Sequence, residues 1–533
     1  MALLIPPMMA ELAITTPKYL VLGILLLGII LSVAWKHLQN DRSHASLEGI
    51  SEAPGALPVI GHLHLLGGRR GENDATMYSR WARATKSDLI SCRIGDQVTV
   101  VVNTFTAVRE LWVNQSPALV DRPAQPGFLD KVGVDITGSS LTDQIRRCRA
   151  ASLKALGKSM WPEYYRLLEP SSEGLVFSLL AADSGLINLY PKLRTVIFDL
   201  GLSLTYGVRY GQFDEAFMDS FLQSILDITA VRASTANFRH YIKFLRWLPE
   251  WSSTKKTAEA AVQVRAAHVH QIYNAYLDRV REEGHVNCVV SSLGSDKLSE
   301  EEIHGTCLSL LQAAPDTIAT GIYQCVAWLA SPEGIGFQST MYQAILDVYG
   351  GDRDLAWSMA FREEKVPLVT SLYKEGLRFF TVTPYSAPRQ TTKDVQYKSA
   401  KIPRGTAVYM NAQQANHDPA HYGADAWSFN PTRFLGDTSP LPHVSFGAGG
   451  RICPAMALSN RLMSAFLVRL TLAFEMRLAD PKVDKNARFP VIDGVRFSDV
   501  LDELVAAPRM YDCRFIPRDP AWLTELSMKA KAP

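Results

Sequence analysis

Phe446-Gly447-Ala448-Gly449-Gly450-Arg451-Ile452-Cys453-Pro454-Ala455 sets three glycines within four residues, then a guanidinium, then a thiol. Glycine takes positive φ at no steric cost, so the run predicts a tight turn. A helix is predicted from about Pro454 to Glu475, which puts Cys453 just ahead of its first turn. The positive end of a helix lowers a thiol pKa, and the thiolate is the form that binds a metal. Backbone N–H groups there can also bond the sulfur and tune the metal. Arg451 is placed to pair with an anionic group of a cofactor. Cys92, Cys148, Cys288, Cys307, Cys325 and Cys513 have no such loop around them and read as small buried residues. Seven cysteines without a CxxC pair argue against a disulfide framework and for a reducing compartment.

Working outward, Glu375-Gly376-Leu377-Arg378 sets a carboxylate and a guanidinium three residues apart, on one helical face. Phe429-Asn430-Pro431-Thr432-Arg433-Phe434 follows further along. Upstream, Ser299 with Glu302 has capping-box spacing, and the apolar run behind it continues to Ala330. Ser331-Pro332-Glu333-Gly334 stops it, giving one helix of roughly 45 Å at about 1.5 Å per residue. That helix carries Ala313-Ala314-Pro315-Asp316-Thr317-Ile318. Pro315 has no N–H for the carbonyl of Leu311, which predicts a kink and a groove for water. A back-bonding Thr in a core helix is the plainer reading of Thr317. Residues 88–103 read as a hairpin, 142–285 as mostly helical, 335–380 as shorter helices and 384–410 as strands and turns. The fold class is mainly α with small β-sheets.

The chain has 533 residues, a net charge of +2 and 47% hydrophobic residues. That suffices for a large core, and the near-neutral balance argues against nucleic acid as a main partner. Tyr19–Trp35 is uncharged and flanked by Lys18 and Lys36. It is close to the ~20 residues a helix needs to cross a bilayer, and too long for the apolar core of a signal peptide. The expected organisation is a short segment at 1–18, a transmembrane anchor at 19–35, a linker and Pro-rich hinge at 36–61, and one catalytic body at 62–533.

The stretch around Cys453 resembles the haem-binding signature of cytochromes P450, through Phe446, Gly449, Arg451 and Cys453. Four fixed positions at average residue usage recur by chance on the order of once in 10⁵ positions. Ala455 stands where the family has Gly. The resemblance spans about residues 54–518 and implies the cytochrome P450 fold and a haem b (iron protoporphyrin IX) ligated by Cys453. It implies a Glu375–Arg378–Arg433 network behind the loop, and Asp316 and Thr317 as the proton relay, with Ala314 and Ile318 departing from the pattern. It also implies Arg149, Arg389, His443 and Arg451 around the propionates, with Ile145 where the family has Trp. The activity implied is monooxygenation, with O2 and electrons from NADPH-cytochrome P450 reductase in the endoplasmic reticulum membrane, the body cytosolic and the anchor in lipid. A haem-thiolate isomerase or dehydratase, needing no O2, is the alternative against which Asp316-Thr317 argues. GSSLTDQIRRCRAASLKAL (138–156), REEKVPLVTSLYKEGLRFFTVTPYSAPRQ (362–390) and IPRGTAVYMNAQQANHD (402–418) look like the fungal branch that hydroxylates phenylacetate and small phenols. The substrate expected is therefore a small monocyclic aromatic, with Phe379, Phe380, Val382, Pro384 and Tyr385 lining its pocket. A larger lipophilic substrate is the alternative.

Overall fold

The computed structural model describes residues 47–123, 133–230 and 253–531, with isolated positions at 24, 28, 32, 241, 242 and 245. The expected anchor at 19–35 lies, but for three positions, outside the described residues. Among the described residues no helix is long and apolar enough to cross a membrane.

Two β-strands, β1 (Ser51–Glu52) and β2 (Leu89–Ile94), flank the first helix, α1 (Asp74–Thr85), whose Asn73 cap accepts from Thr76 N. β2 turns at Gly95, with φ +60°, into β3 (Gln97–Val102), the expected hairpin. β3 leads into α2 (Phe105–Val108), extended by a wider turn over Arg109–Asn114. The helical half follows: α3 (Asp143–Ala155), α4 (Trp161–Leu180), α5 (Leu189–Tyr206), α6 (Glu215–Ala230), α7 (Ser253–Glu283), α8 (Val289–Ser295) and α9 (Glu300–Ala330). α9 is the predicted long helix, and its capping box is present. Ser299 Oγ accepts from Glu302 N, and Glu302 Oε2 accepts from Ser299 N. The helix runs through Pro315 without interruption.

Beyond it lie α10 (Ile335–Val348), α11 (Arg353–Met359) and α12 (Pro367–Phe379). The strands β4 (Arg389–Gln390), β5 (Val395–Tyr397), β6 (Ala400–Ile402) and β7 (Ala407–Met410) come next. The sheet order is β1-β2-β3-β7-β4, so the C-terminal strands add to the N-terminal hairpin, with Val100 beside Val408 and Val408 beside Arg389. Two short helices follow, α13 (Ala412–Asn416) and α14 (Pro419–Tyr422). The last long helix, α15 (Met456–Ala473), starts two residues later than predicted and ends two earlier. Phe474 opens a strand, β8 (Phe474–Leu478), because residues 513–517 (β9) pair with it. α16 (Pro520–Lys531) closes the described chain.

The largest core joins α4, α5, α9, α12 and α15. Close packing there demands small residues. A Cβ on Gly201 of α5 would come 2.8 Å from Leu311 Cδ1 of α9, and one on Gly376 of α12 would come 2.4 Å from Cys325 Sγ. Six cysteines are buried, as read from the sequence, and Cys453 is partly exposed.

Candidate active site

The Cys453 loop closes on itself. Gly447 N donates to Val444 O (2.9 Å), Cys453 N to Phe446 O (3.0 Å) and Ile452 N to Gly449 O (3.0 Å). Gly447 and Gly449 take φ of +73° and +67°. At Gly449 there is a second reason for glycine: a Cβ would lie 1.8 Å from Trp112 O. The neighbouring Gly450 N–H is taken by Ser116 Oγ at 2.8 Å, so the turn after α2 carries the loop. Ala455 adopts φ −93° and ψ 6°, a conformation open to any residue, so the absent glycine costs nothing there.

The helix-end argument predicts a lowered Cys453 thiol pKa. The structure gives the opposite direction for the free thiol. Burial pushes it up, and the Ala455 N–H and the Arg149 charge oppose that without winning. A coordinating metal deprotonates a thiol outright, so the ligand form depends on the metal and the helix only assists.

Behind the loop the predicted ion network is assembled, with Glu375 and Arg378 fully buried and Arg433 partly exposed. Arg378 meets Glu375 through two 2.7 Å bonds, both side chains with no exposure. Arg378 also donates to the carbonyls of Asn416, Ala426 and Ser428. Arg433 reaches Glu375 Oε2 at 3.2 Å and Asp425 at 2.9 Å. Sequence reasoning missed the link from this network to the cysteine. Asn416 donates to Ser445 Oγ (2.9 Å) and accepts from Val444 N (2.9 Å), while Ser445 Oγ donates to Leu377 O (2.6 Å). Asn416 ends α13 with no spacing motif to mark it.

Beside the loop, Arg149 donates to Ile452 O (3.0 Å) and Ile136 O (3.2 Å). Arg451 donates to Ile136 O (3.3 Å) and Ser139 O (3.0 Å). Arg389 is buried, and its Nε and Nη1 have no partner among the described residues. Burial, then Arg122, Arg451 and Arg149, drive its pKa well down. Arg451 is brought down to about 10 by burial and Arg149. Arg122, a fourth guanidinium, was not foreseen; it donates to Pro388 O at 2.8 Å. His443 is buried beside the Phe446 ring and held neutral, its pKa lowered to about 3 by burial and by Lys374 and Arg378. Ile145 packs with Val134, Ile136 and Cys148, and the buried indole N–H without a partner belongs to Trp112.

The midpoint of α9 is open. Ala313 is exposed, and Ala314, Asp316 and Thr317 are partly so, although the helix is buried throughout from Ile318 to Ala330. Thr317 Oγ1 donates to Ala313 O at 2.8 Å, the back-bonded arrangement. Asp316 is paired with Arg194 of α5 at 2.7 Å, a partner the sequence did not reveal.

The expected aromatic lining is largely spent on packing. Phe379 and Phe380 stand edge to face at 5.0 Å and pack on Phe429 and Phe497. Tyr385 joins Tyr78 and Tyr409 in the core under the sheet. Val382 and Pro384 are buried, and their carbonyls accept from Ala506 N and Gln413 N. The partly exposed residues of this segment are Thr383, Ser386 and Ala387.

Guanidinium nitrogens buried without partners require an anion. A macrocycle with two carboxylates, holding a metal that a thiol can ligate, satisfies them and Cys453 together, so the residues present fit haem. The model of the cytochrome P450 family matches residues 52–492, and the chain belongs to that family. It is a monooxygenase, and its cofactor is haem b. It is 31% identical to the phenylacetate 2-hydroxylase of Emericella nidulans over 92% of this chain and 95% of that one. It is 25% identical to the 3-hydroxyphenylacetate 6-hydroxylase of the same organism, over 91% and 92% of the two chains. A zebrafish cytochrome P450 solved with abiraterone shares the fold, with a TM-score of 0.65 at 19% identity, covering 84% of this chain and all of that one.

Proposed function

We propose that this enzyme hydroxylates small monocyclic aromatic compounds of the phenol, cresol, benzyl alcohol or phenylacetate type. The observation that carries the reading is the 31% identity, sustained over nearly the whole chain, to a phenylacetate hydroxylase. When bound, the haem iron activates O2, and one oxygen atom enters the substrate. Cys453 Sγ is its ligand, and Phe446 and Gly449 shape the loop around that sulfur. Arg149, Arg389 and Arg451, with Arg122, hold the propionates, and His443 adds a neutral hydrogen bond. Glu375, Arg378 and Arg433 keep the loop in place through Asn416. The Thr317 hydroxyl donates to Ala313 O and leaves its lone pairs for a water in the open midpoint of α9. Asp316, held by Arg194, is the carboxylate that resupplies a proton to that water. Val382, Thr383 and Pro384 form one wall of the substrate space.

Electrons come from the membrane's NADPH-cytochrome P450 reductase, because the family uses a separate redox partner and this chain has no dinucleotide motif. The uncharged Tyr19–Trp35 stretch supports a single-pass anchor in the endoplasmic reticulum membrane with the body on the cytosolic side. Deleting residues 1–40 then releases the haem-loaded body into the soluble fraction; full retention in the integral fraction overturns the anchor. The substrate class is tested by spin-state titration of the ferric enzyme with cresols, hydroxybenzyl alcohols and phenylacetates against a steroid and a fatty acid. Product analysis with reductase and NADPH follows. Productive binding of the steroid or fatty acid alone removes the substrate reading.

A further inference from the structure

Residues 134–139 run between the first half of α9 and the guanidinium groups beside the Cys453 loop. Val134 lies so close to Gly305 of α9 that a Cβ on the glycine would come 2.3 Å from Val134 O. Asp135 is buried and opens a tight turn. Its Oδ1 accepts from Thr137 N at 2.8 Å and from Thr137 Oγ1 at 2.6 Å. A carboxylate bonded to the N–H two residues on fixes the backbone of the residue between. That residue is Ile136, which is fully buried. Its N–H donates to Ser309 Oγ of α9 at 3.3 Å, and the same Oγ stands 3.4 Å from Asp135 Oδ1. Its carbonyl accepts from Arg149 of α3 at 3.2 Å and from Arg451 at 3.3 Å. A carbonyl has two lone pairs, and here each meets a cation. Ser139 repeats the arrangement: its N–H donates to Asp135 O at 3.2 Å, and its carbonyl accepts from Arg451 at 3.0 Å. A local turn explains Thr137, but not a hydroxyl of α9, 174 positions on, that meets the same turn.

We propose that Asp135 is a positioning residue for the cofactor: with Ser309 it holds the Ile136 carbonyl at the point from which Arg149 and Arg451 are aimed at the haem carboxylates. Long side chains lose rotamer freedom when they are fixed, and a tether present before the cofactor arrives lowers that cost at binding. Arg149 and Arg451 reach the one oxygen from two different elements, α3 and the Cys453 loop, so a displaced Ile136 misaims both. The role rests on the propionate reading of the two guanidinium groups and is independent of the substrate class.

The test uses the haem-loaded full chain and two readouts that turnover does not enter. One is the propionate bending bands of the resonance Raman spectrum, the other the rate of haem transfer to apomyoglobin. Asp135→Ala should shift the bands and release haem about tenfold faster, as for loss of a charged hydrogen bond. Asp135→Asn keeps an acceptor at Oδ1 and should bring both back to near wild type. Ser309→Ala leaves the turn itself and should give a smaller shift in the same direction. Unchanged bands and rate in Asp135→Ala overturn the role. So does an Asp135→Asn as impaired as Asp135→Ala, which would mark charge rather than placement as the cause. If Asp135→Ala does not fold, Ser309→Ala decides: shifted bands at unchanged urea unfolding support the role, and wild-type bands overturn it. Arg149→Gln and Arg451→Gln separate the two readings. If neither moves the bands, the propionate reading fails and this inference with it; if they do and Asp135→Ala does not, only the role of Asp135 falls.

Discussion

The two sides of the site are built on opposite terms. On the cysteine side, Glu375, Arg378, Asn416, Ser445 and the loop's own N–H groups each have defined partners, most of them at 2.6–3.0 Å. On the α9 side, Ala313 is exposed and Thr317 bonds only to its own helix. A buried charged network is tolerable only when every member is paired, so the first side can be rigid. The second side keeps its hydrogen-bonding capacity for molecules that come and go. Stability should therefore be lost by changes on the cysteine side, and selectivity or coupling by changes across from it.

The largest expected effect is Cys453→Ser, which abolishes product formation and the red-shifted carbon monoxide band of the reduced enzyme. Cys148→Ser and Cys513→Ser keep both; loss of the band in either of these instead would move the ligand elsewhere.

Next is Glu375→Ala, which leaves the fully buried Arg378 without its counter-charge. A loss of about 3–5 kcal/mol is expected, with haem content falling in step. Denaturant unfolding and haem absorbance read both, and a neutral result would break the contrast between the two sides.

Thr317→Ala should do the reverse. Unfolding and haem content stay as in wild type, while product per NADPH falls several-fold and peroxide rises. An unchanged product-to-NADPH ratio removes the proton role.

The smallest effect is a pH slope. His417 stacks on Trp427 and donates its Nδ1–H to Gln413 O at 2.8 Å. Its pKa is lowered from 6.5 to about 4, chiefly by burial. The unfolded chain therefore binds more protons between these values. Stability is full above pH 6.5 and falls as pH drops toward 4. His417→Gln should remove up to about 1.4 kcal/mol per pH unit from that slope, measured by urea unfolding across the window. His443 contributes in the same direction.

What could be read from the chain follows the same division. The loop of Cys453, the pair Glu375–Arg378 and the capping box at Ser299 are local patterns, and a local pattern fixes a local geometry. The α9 helix and the hairpin of β2 and β3 were legible for the same reason. Arg122, Ser116 and Asn416 were not, because each acts through a contact made only when distant segments meet. Gly450 and Ser116, for instance, lie 334 positions apart. The rings of Phe379, Phe380 and Tyr385 were legible as an aromatic run, but their neighbours Phe429, Phe497 and Tyr78 come from distant segments and were not.

The meeting of Gly449 with the Trp112 carbonyl also sets a clock. At about 5–20 residues per second, synthesis separates the two halves of that contact by roughly 17–70 seconds. During that interval the turn carrying Trp112 and Ser116 has no loop to hold, and the guanidinium of Arg389 is made long after that of Arg149. Cofactor capture is thus a late event on a nearly complete chain, and a ribosome that stalls before residue 450 leaves a body with most of its helices and no means of keeping its haem.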